Sequence, residues 1–128
     1  MTITNYFKST KIANFEFKGG IVYVLCHDDI DVTVDILDDL LPIVEEICGN
    51  NKYPFLVDTG KNGKISKKAR QRMADVFKRF RTAEAIVSST ILHRTLAQLY
   101  ISINRPGNPV KVFSNREDAE KWLKDNFV

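Results

Sequence analysis

The chain has 128 residues, and 44% are hydrophobic and 27% charged, the balance of one soluble globular domain. The longest unbroken apolar run, Ile21 to Cys26, is far short of the ~18–20 residues a membrane span needs. A net charge of +3 conceals strong segregation. Residues 27–58 carry nine acidic groups against one basic, and residues 59–81 carry nine basic against one acidic. Such a bipolar surface steers a partner or drives head-to-tail association between copies. It favours a binding protein over an enzyme.

The polar start, Met1 to Lys11, reads as a loose arm or a short edge segment, with the domain proper at 12–128. It lacks a basic stretch followed by an apolar one, so a cytoplasmic protein is expected. Ile12 to Lys18 alternates, with Ala13, Phe15 and Phe17 on one face, as in a half-buried strand. Gly19-Gly20 suits a two-residue hairpin turn. Ile21 to Cys26 is apolar on both faces and reads as an interior strand.

His27 to Asp31 is a polar connection. Thr33 is the N-cap of a helix to Cys48, with Val34, Leu37, Leu41, Val44 and Ile47 at helical spacing. Pro42 removes one backbone donor inside it, which predicts a kink or two shorter helices. Gly49-Asn50-Asn51 ends it. Tyr53 to Val57 is a strand ending at Asp58, and residues 59–64 form a loop.

Ser66 is the N-cap of a second helix running to about Arg81, with Ala69, Met73, Val76/Phe77 and Phe80 inward. Ala85 to Val87 is a strand followed by the capping cluster Ser88-Ser89-Thr90. A helix from Ile91 to Ile103 has an apolar stripe that reads as core, or as core with an exposed part serving a dimer contact or a lipid-holding groove. Residues 105–109 end it, Val110 to Phe113 is the last strand, and Ser114 with Glu117 forms a capping box for a final helix. The order β-β-α-β-α-β-α-β-α predicts a mostly parallel α/β sheet with one antiparallel edge strand from the hairpin, helices covering it.

This order resembles the STAS superfamily, the anti-sigma-factor-antagonist-like domains with a SpoIIAA-like fold. The stand-alone bacterial branch labelled STAS/SEC14-like is nearest. The motifs are Phe17-Lys18-Gly19-Gly20-Ile21-Val22-Tyr23, Phe55-Leu56-Val57-Asp58, Ile65-Ser66-Lys67-Lys68-Ala69-Arg70 and Pro109-Val110-Lys111-Val112-Phe113. The last continues into Glu117-Asp118-Ala119-Glu120-Lys121-Trp122-Leu123. In signalling members a strand ends in Asp and a phosphorylatable hydroxyl opens the next helix, within an Asp-Ser-Ser-Gly-type run. Asp58 matches the strand-end Asp, and Ser66 falls within about one residue of the phosphoacceptor. The Asp-Ser-Ser-Gly run is absent, and Lys67-Lys68 follow Ser66 instead.

Three candidate sites follow. A phosphate on Ser66 would meet free helix amides and a basic face of Lys64, Lys67, Lys68 and Arg70. The bland reading of Ser66 is a cap alone. Asp58, Thr59, Ser88, Ser89, Thr90, His93 and Arg94 lie at strand-to-helix junctions, where open α/β sheets bind ligands or partners. Ser88 or Ser89, His93 and Asp58 supply the residue types of a hydrolytic triad, but without nucleophile-elbow spacing. No catalytic residue is assigned.

The Gly60-Lys61-Asn62-Gly63-Lys64 loop lacks the Gly-Lys-Ser/Thr ending of a nucleotide-binding loop. The exposed face of the basic stretch lacks interleaved aromatic residues for base stacking, since Phe77 and Phe80 belong to the buried stripe, so nucleic acid is not an expected partner. Two cysteines and two histidines give no metal spacing, and no cofactor is implied. The readings that remain are a regulatory or protein-binding module and, as the SEC14-like label implies, a carrier of a small apolar ligand.

Overall fold

A computed structural model describes residues 5–88, 90, 94, 95, 98 and 108–128. Six strands form the main sheet: β1 (Tyr6–Ser9), β2 (Ala13–Lys18), β3 (Ile21–Cys26), β5 (Tyr53–Asp58), β7 (Arg81–Val87) and β8 (Val110–Phe113). Two short strands, β4 (Asp31–Val32) and β6 (Lys64–Ile65), form a separate parallel pair. Among the described residues the helices are α1 (Val34–Cys48), α2 (Lys67–Val76), a 3-10 turn at Phe77–Phe80, and α3 (Arg116–Phe127). The helix expected over Ile91 to Ile103 lies largely outside the described residues.

The sheet order is β1-β2-β3-β5-β7-β8. β2 is antiparallel to both β1 and β3, and from β3 onward all pairings of this sheet are parallel. This is the expected α/β architecture with one difference. The hairpin does not end in the edge strand, because Tyr6–Ser9 pairs outside β2. Gly19 and Gly20, at φ 58° and 80°, supply the two left-handed residues of the hairpin turn.

Strand alternation divides the core in two. Ala13, Phe15, Phe17, Val22 and Phe55 pack on one face against Val44, Ile47 and Cys48 of α1 and against Phe80. Ile21, Tyr23, Leu56, Ala83, Ala85 and Val87 pack on the other against Ala119 and Leu123 of α3. Trp122 is half-buried there between Phe113 and Phe127.

Several boundaries differ from the sequence reading. α1 runs unbroken through Pro42. Pro42 is exposed, so the carbonyl it leaves without a partner lies on the side open to water. The second helix stops at Val76, and β7 begins at Arg81 rather than Ala85. Lys64 is strand, not loop, and with Ile65 it pairs with Asp31 and Val32. The last cap is Asn115, not Ser114: its Oδ1 accepts from the Asp118 amide at 2.9 Å, and its Nδ2 donates to the Asp118 carboxylate at 3.1 Å. Pro54 lies in a central strand, where proline is tolerated at a break in the ladder. The β5–β7 register shifts between Tyr53 and Pro54.

Candidate functional site

The parallel strands deliver their carboxyl ends to one rim of the sheet. Asp58 is in register with Leu25 and Val87, so it lies on their face, beneath the start of α3. Its Oδ2 receives Arg116 Nε at 2.6 Å, and its Oδ1 receives the Gly60 amide at 3.0 Å. Both carboxylate oxygens are therefore committed to structure. Arg116 was missed in the sequence. It stands 58 residues from Asp58, and only its place at the last strand-to-helix junction hints at the rim.

Thr59 turns its hydroxyl to the Val87 carbonyl at 3.1 Å. Ser88 continues the ladder, donating its amide to the Phe113 carbonyl at 3.0 Å, and its carbonyl receives Arg94 Nη1 at 3.1 Å. The Arg94 amide in turn donates to the Thr90 carbonyl at 3.0 Å. The Ser88 side chain is 2% exposed, and its Oγ has no hydrogen-bond partner among the described residues. Ser88, Thr90 and Arg94 are thus joined by backbone-directed bonds, Thr59 is tied to the neighbouring Val87, and Asp58 is drawn away to Arg116. Ser89 and His93 lie outside the described residues. The Ser88 hydroxyl makes no hydrogen bond to Asp58.

Cys26 ends β3 at the same rim. Burial, with the nearby Asp58 charge second, pushes its thiol up to about 11. Cys48 is fully enclosed, and burial raises it to about 12. Thiols so shifted stay protonated and act as small hydrophobes.

Beside this rim, two strand-to-helix loops are laced together. Asp29 donates its amide to the Lys61 carbonyl at 2.8 Å, and the Lys61 amide donates to Asp28 Oδ1 at 2.8 Å. Lys64 donates to the Ile30 carbonyl at 3.0 Å and Ser66 to the Val32 carbonyl at 3.1 Å. Gly60 is required here. Its φ is +70°, and a Cβ would sit 2.7 Å from the His27 carbonyl oxygen.

The lacing places Ser66 beside Thr33, the residue that follows β4, so the N-caps of α1 and α2 are neighbours. Ser66 Oγ accepts the Ala69 amide at 3.1 Å, and Thr33 Oγ1 accepts the Ile36 amide at 3.4 Å. Ser66 is exposed, as are Lys64, Lys67 and Lys68. Arg70 is half-buried and donates to the Ile65 carbonyl at 3.1 Å. The basic face therefore surrounds Ser66 with three solvated lysines.

The charge segregation takes a different form from the one expected. α1 and α2 share a face of the sheet, and Arg72 meets Asp38 at 3.2 Å while Arg79 meets Glu45 at 3.9 Å. The acidic and basic segments lie side by side and partly satisfy each other.

Two surface hollows lie away from the rim. One of about 410 Å³ is lined by Glu45, Gly49, Asn50, Asn51, Arg79 and Phe80. The other, about 350 Å³, lies along β1 and β2. Among the described residues no group of three His, Cys, Asp or Glu could hold a metal ion, and no helix is long and apolar enough to cross a membrane.

Comparison with known proteins agrees with this architecture. An uncharacterised DUF3478-family protein from Shewanella loihica PV-4, described as having a SpoIIAA-like fold, superposes with a TM-score of 0.58. The two are 16% identical, and the match covers 95% of this chain and 93% of that one. A protein of unknown function from Arthrobacter sp. FB24 is 22% identical over 86% of this chain and 97% of that one, at a TM-score of 0.32. No curated protein matches. The model of a domain of unknown function, DUF7793, matches residues 15–126. With nearly its whole length inside that match, the chain belongs to the DUF7793 family, and its fold is SpoIIAA-like.

Proposed function

We propose that this chain is a non-enzymatic regulatory or protein-binding module tuned by phosphorylation of Ser66. The observation that carries the reading is the setting of that hydroxyl. Ser66 is exposed at the start of a ten-residue helix, fixed by Val32 behind it and flanked by exposed Lys64, Lys67 and Lys68. A phosphate would add about −1.5 to −2 charge and three acceptor oxygens. It would meet first-turn amides and the positive end of the helix dipole, so the folded chain would accommodate it. That charge would partly cancel the surrounding basic surface, and a partner reading that surface would gain or lose affinity.

A non-catalytic role is supported by the rim. Both oxygens of Asp58 are occupied, by Arg116 and Gly60, and the Ser88 hydroxyl is enclosed. Neither is presented as an acid, base or nucleophile to a substrate.

The test is intact mass of the protein purified from its native cells under varied growth, alongside a Ser66→Ala variant. A phosphoform present in the native chain and absent in the variant is the expected result. Its absence under all conditions would overturn the reading. Native mass spectrometry of the same material is expected to show a protein partner. A co-purified apolar small molecule instead would favour a carrier.

A further inference from the structure

We propose that β1 is a homotypic interface, joining two copies of this chain edge to edge into one continuous sheet. The outer side of β1 meets no strand among the described residues. Its free amides and carbonyls are a template for a further strand. β1 also presents Phe7, which is 65% exposed and lies on the face of the sheet away from α1, in register with polar Glu16. Lys8 is exposed on the α1 face and forms no ion pair among the described residues.

A second copy fits this edge in one register. Antiparallel pairing about a two-fold axis keeps like faces together, so a residue meets another of the same face. Centring on Phe7 sets Phe7 against Phe7 of the other copy and Tyr6 against its Lys8. That buries the exposed ring and places a cation over a tyrosine. The Tyr6 hydroxyl reaches Glu46 of α1 at 3.4 Å, so the incoming Lys8 also finds a carboxylate. Moving the centre to Lys8 would oppose two lysines and leave each Phe7 against Ser9. Moving it to Tyr6 would strand Phe7 against Asn5. The complementarity belongs to the edge itself, and it is independent of any modification of Ser66.

Sedimentation velocity over a concentration series tests this. The wild-type chain is expected to approach twice its 14.6 kDa mass. Phe7→Glu is expected to weaken association at least about tenfold, since symmetry counts each change twice. Lys8→Glu and Glu46→Lys should each do the same alone. Mixed together they should form a one-to-one heterodimer, because both cross-strand charge pairs are then opposite. Unchanged circular dichroism confirms that each variant is folded. A chain that stays monomeric at all concentrations overturns the proposal. So does a dimer indifferent to Phe7→Glu, or failure of the two charge variants to pair. A wild-type monomer whose β1 accepts only a foreign strand counts equally against it.

Discussion

Arg81 and Glu84 form an ion pair inside the protein, at 4% and 3% exposure. Asn108 holds the same corner: its Oδ1 receives Arg81 Nε at 3.4 Å, and its Nδ2 donates to the Arg81 carbonyl at 3.0 Å. Replacing Glu84 by Leu leaves a buried guanidinium without its counter-charge, which costs about 3–5 kcal/mol. At about 2.1 cal/mol/K of unfolding entropy per residue, that lowers Tm by roughly 11–19 °C. The double change Arg81→Met with Glu84→Leu removes both charges and fills similar volume, so most of the loss should return. Urea unfolding followed by Trp122 fluorescence, the sole tryptophan, measures all three chains. Two results would refute the reasoning. A single-variant loss under about 1 kcal/mol would mean that the pair is effectively solvated. A double variant as unstable as the single would assign the cost to packing rather than to stranded charge.

Gly60→Ala forces a left-handed residue against the His27 carbonyl, and a loss of about 2–3 kcal/mol is expected in the same assay. Gly19→Ala, with open space around its Cβ, should lose less. Tyr23 donates to Glu120 Oε1 at 2.8 Å. Burial, then the Glu120 bond, raises the Tyr23 pKa, while the Tyr23 bond, then that of Lys124, lowers the Glu120 pKa. The Glu120 contribution is present above the unfolded carboxylate value, about 4.3, and is lost as pH falls through the depressed folded value. The Tyr23 contribution is present below the unfolded value of about 10 and is lost as pH rises toward the raised one. Tyr23→Phe should therefore cost about 1 kcal/mol near neutrality and flatten both limbs of the stability–pH curve, measured by urea midpoints.

Local chemistry made much of the fold legible in the sequence. Gly19-Gly20 dictates a turn, and the hydroxyls of Thr33 and Ser66 mark helix starts by satisfying first-turn amides. What stayed hidden depends on distant partners. The pairing of Arg81 with Glu84 leaves no trace in the sequence, because their charges meet only in the folded chain. The two-residue strands β4 and β6 are too short to carry a period, and each exists because the other is alongside. The acidic and basic segments are plain in the sequence, but only packing reveals them as neighbours. At the rim, Asp58 was legible as a strand end, and its engagement with Arg116 was not.

The lacing between residues 28–32 and 61–66 also bears on how Ser66 is approached. Enzymes that read short sequence motifs take their substrates as extended, pliable segments. Lys64 and Ile65 are held in strand pairing, and the residues after Ser66 are already helical. An enzyme acting on this hydroxyl would have to recognise a shape, docking on the folded surface, and a synthetic peptide spanning residues 61–71 would be a poor substitute for the protein.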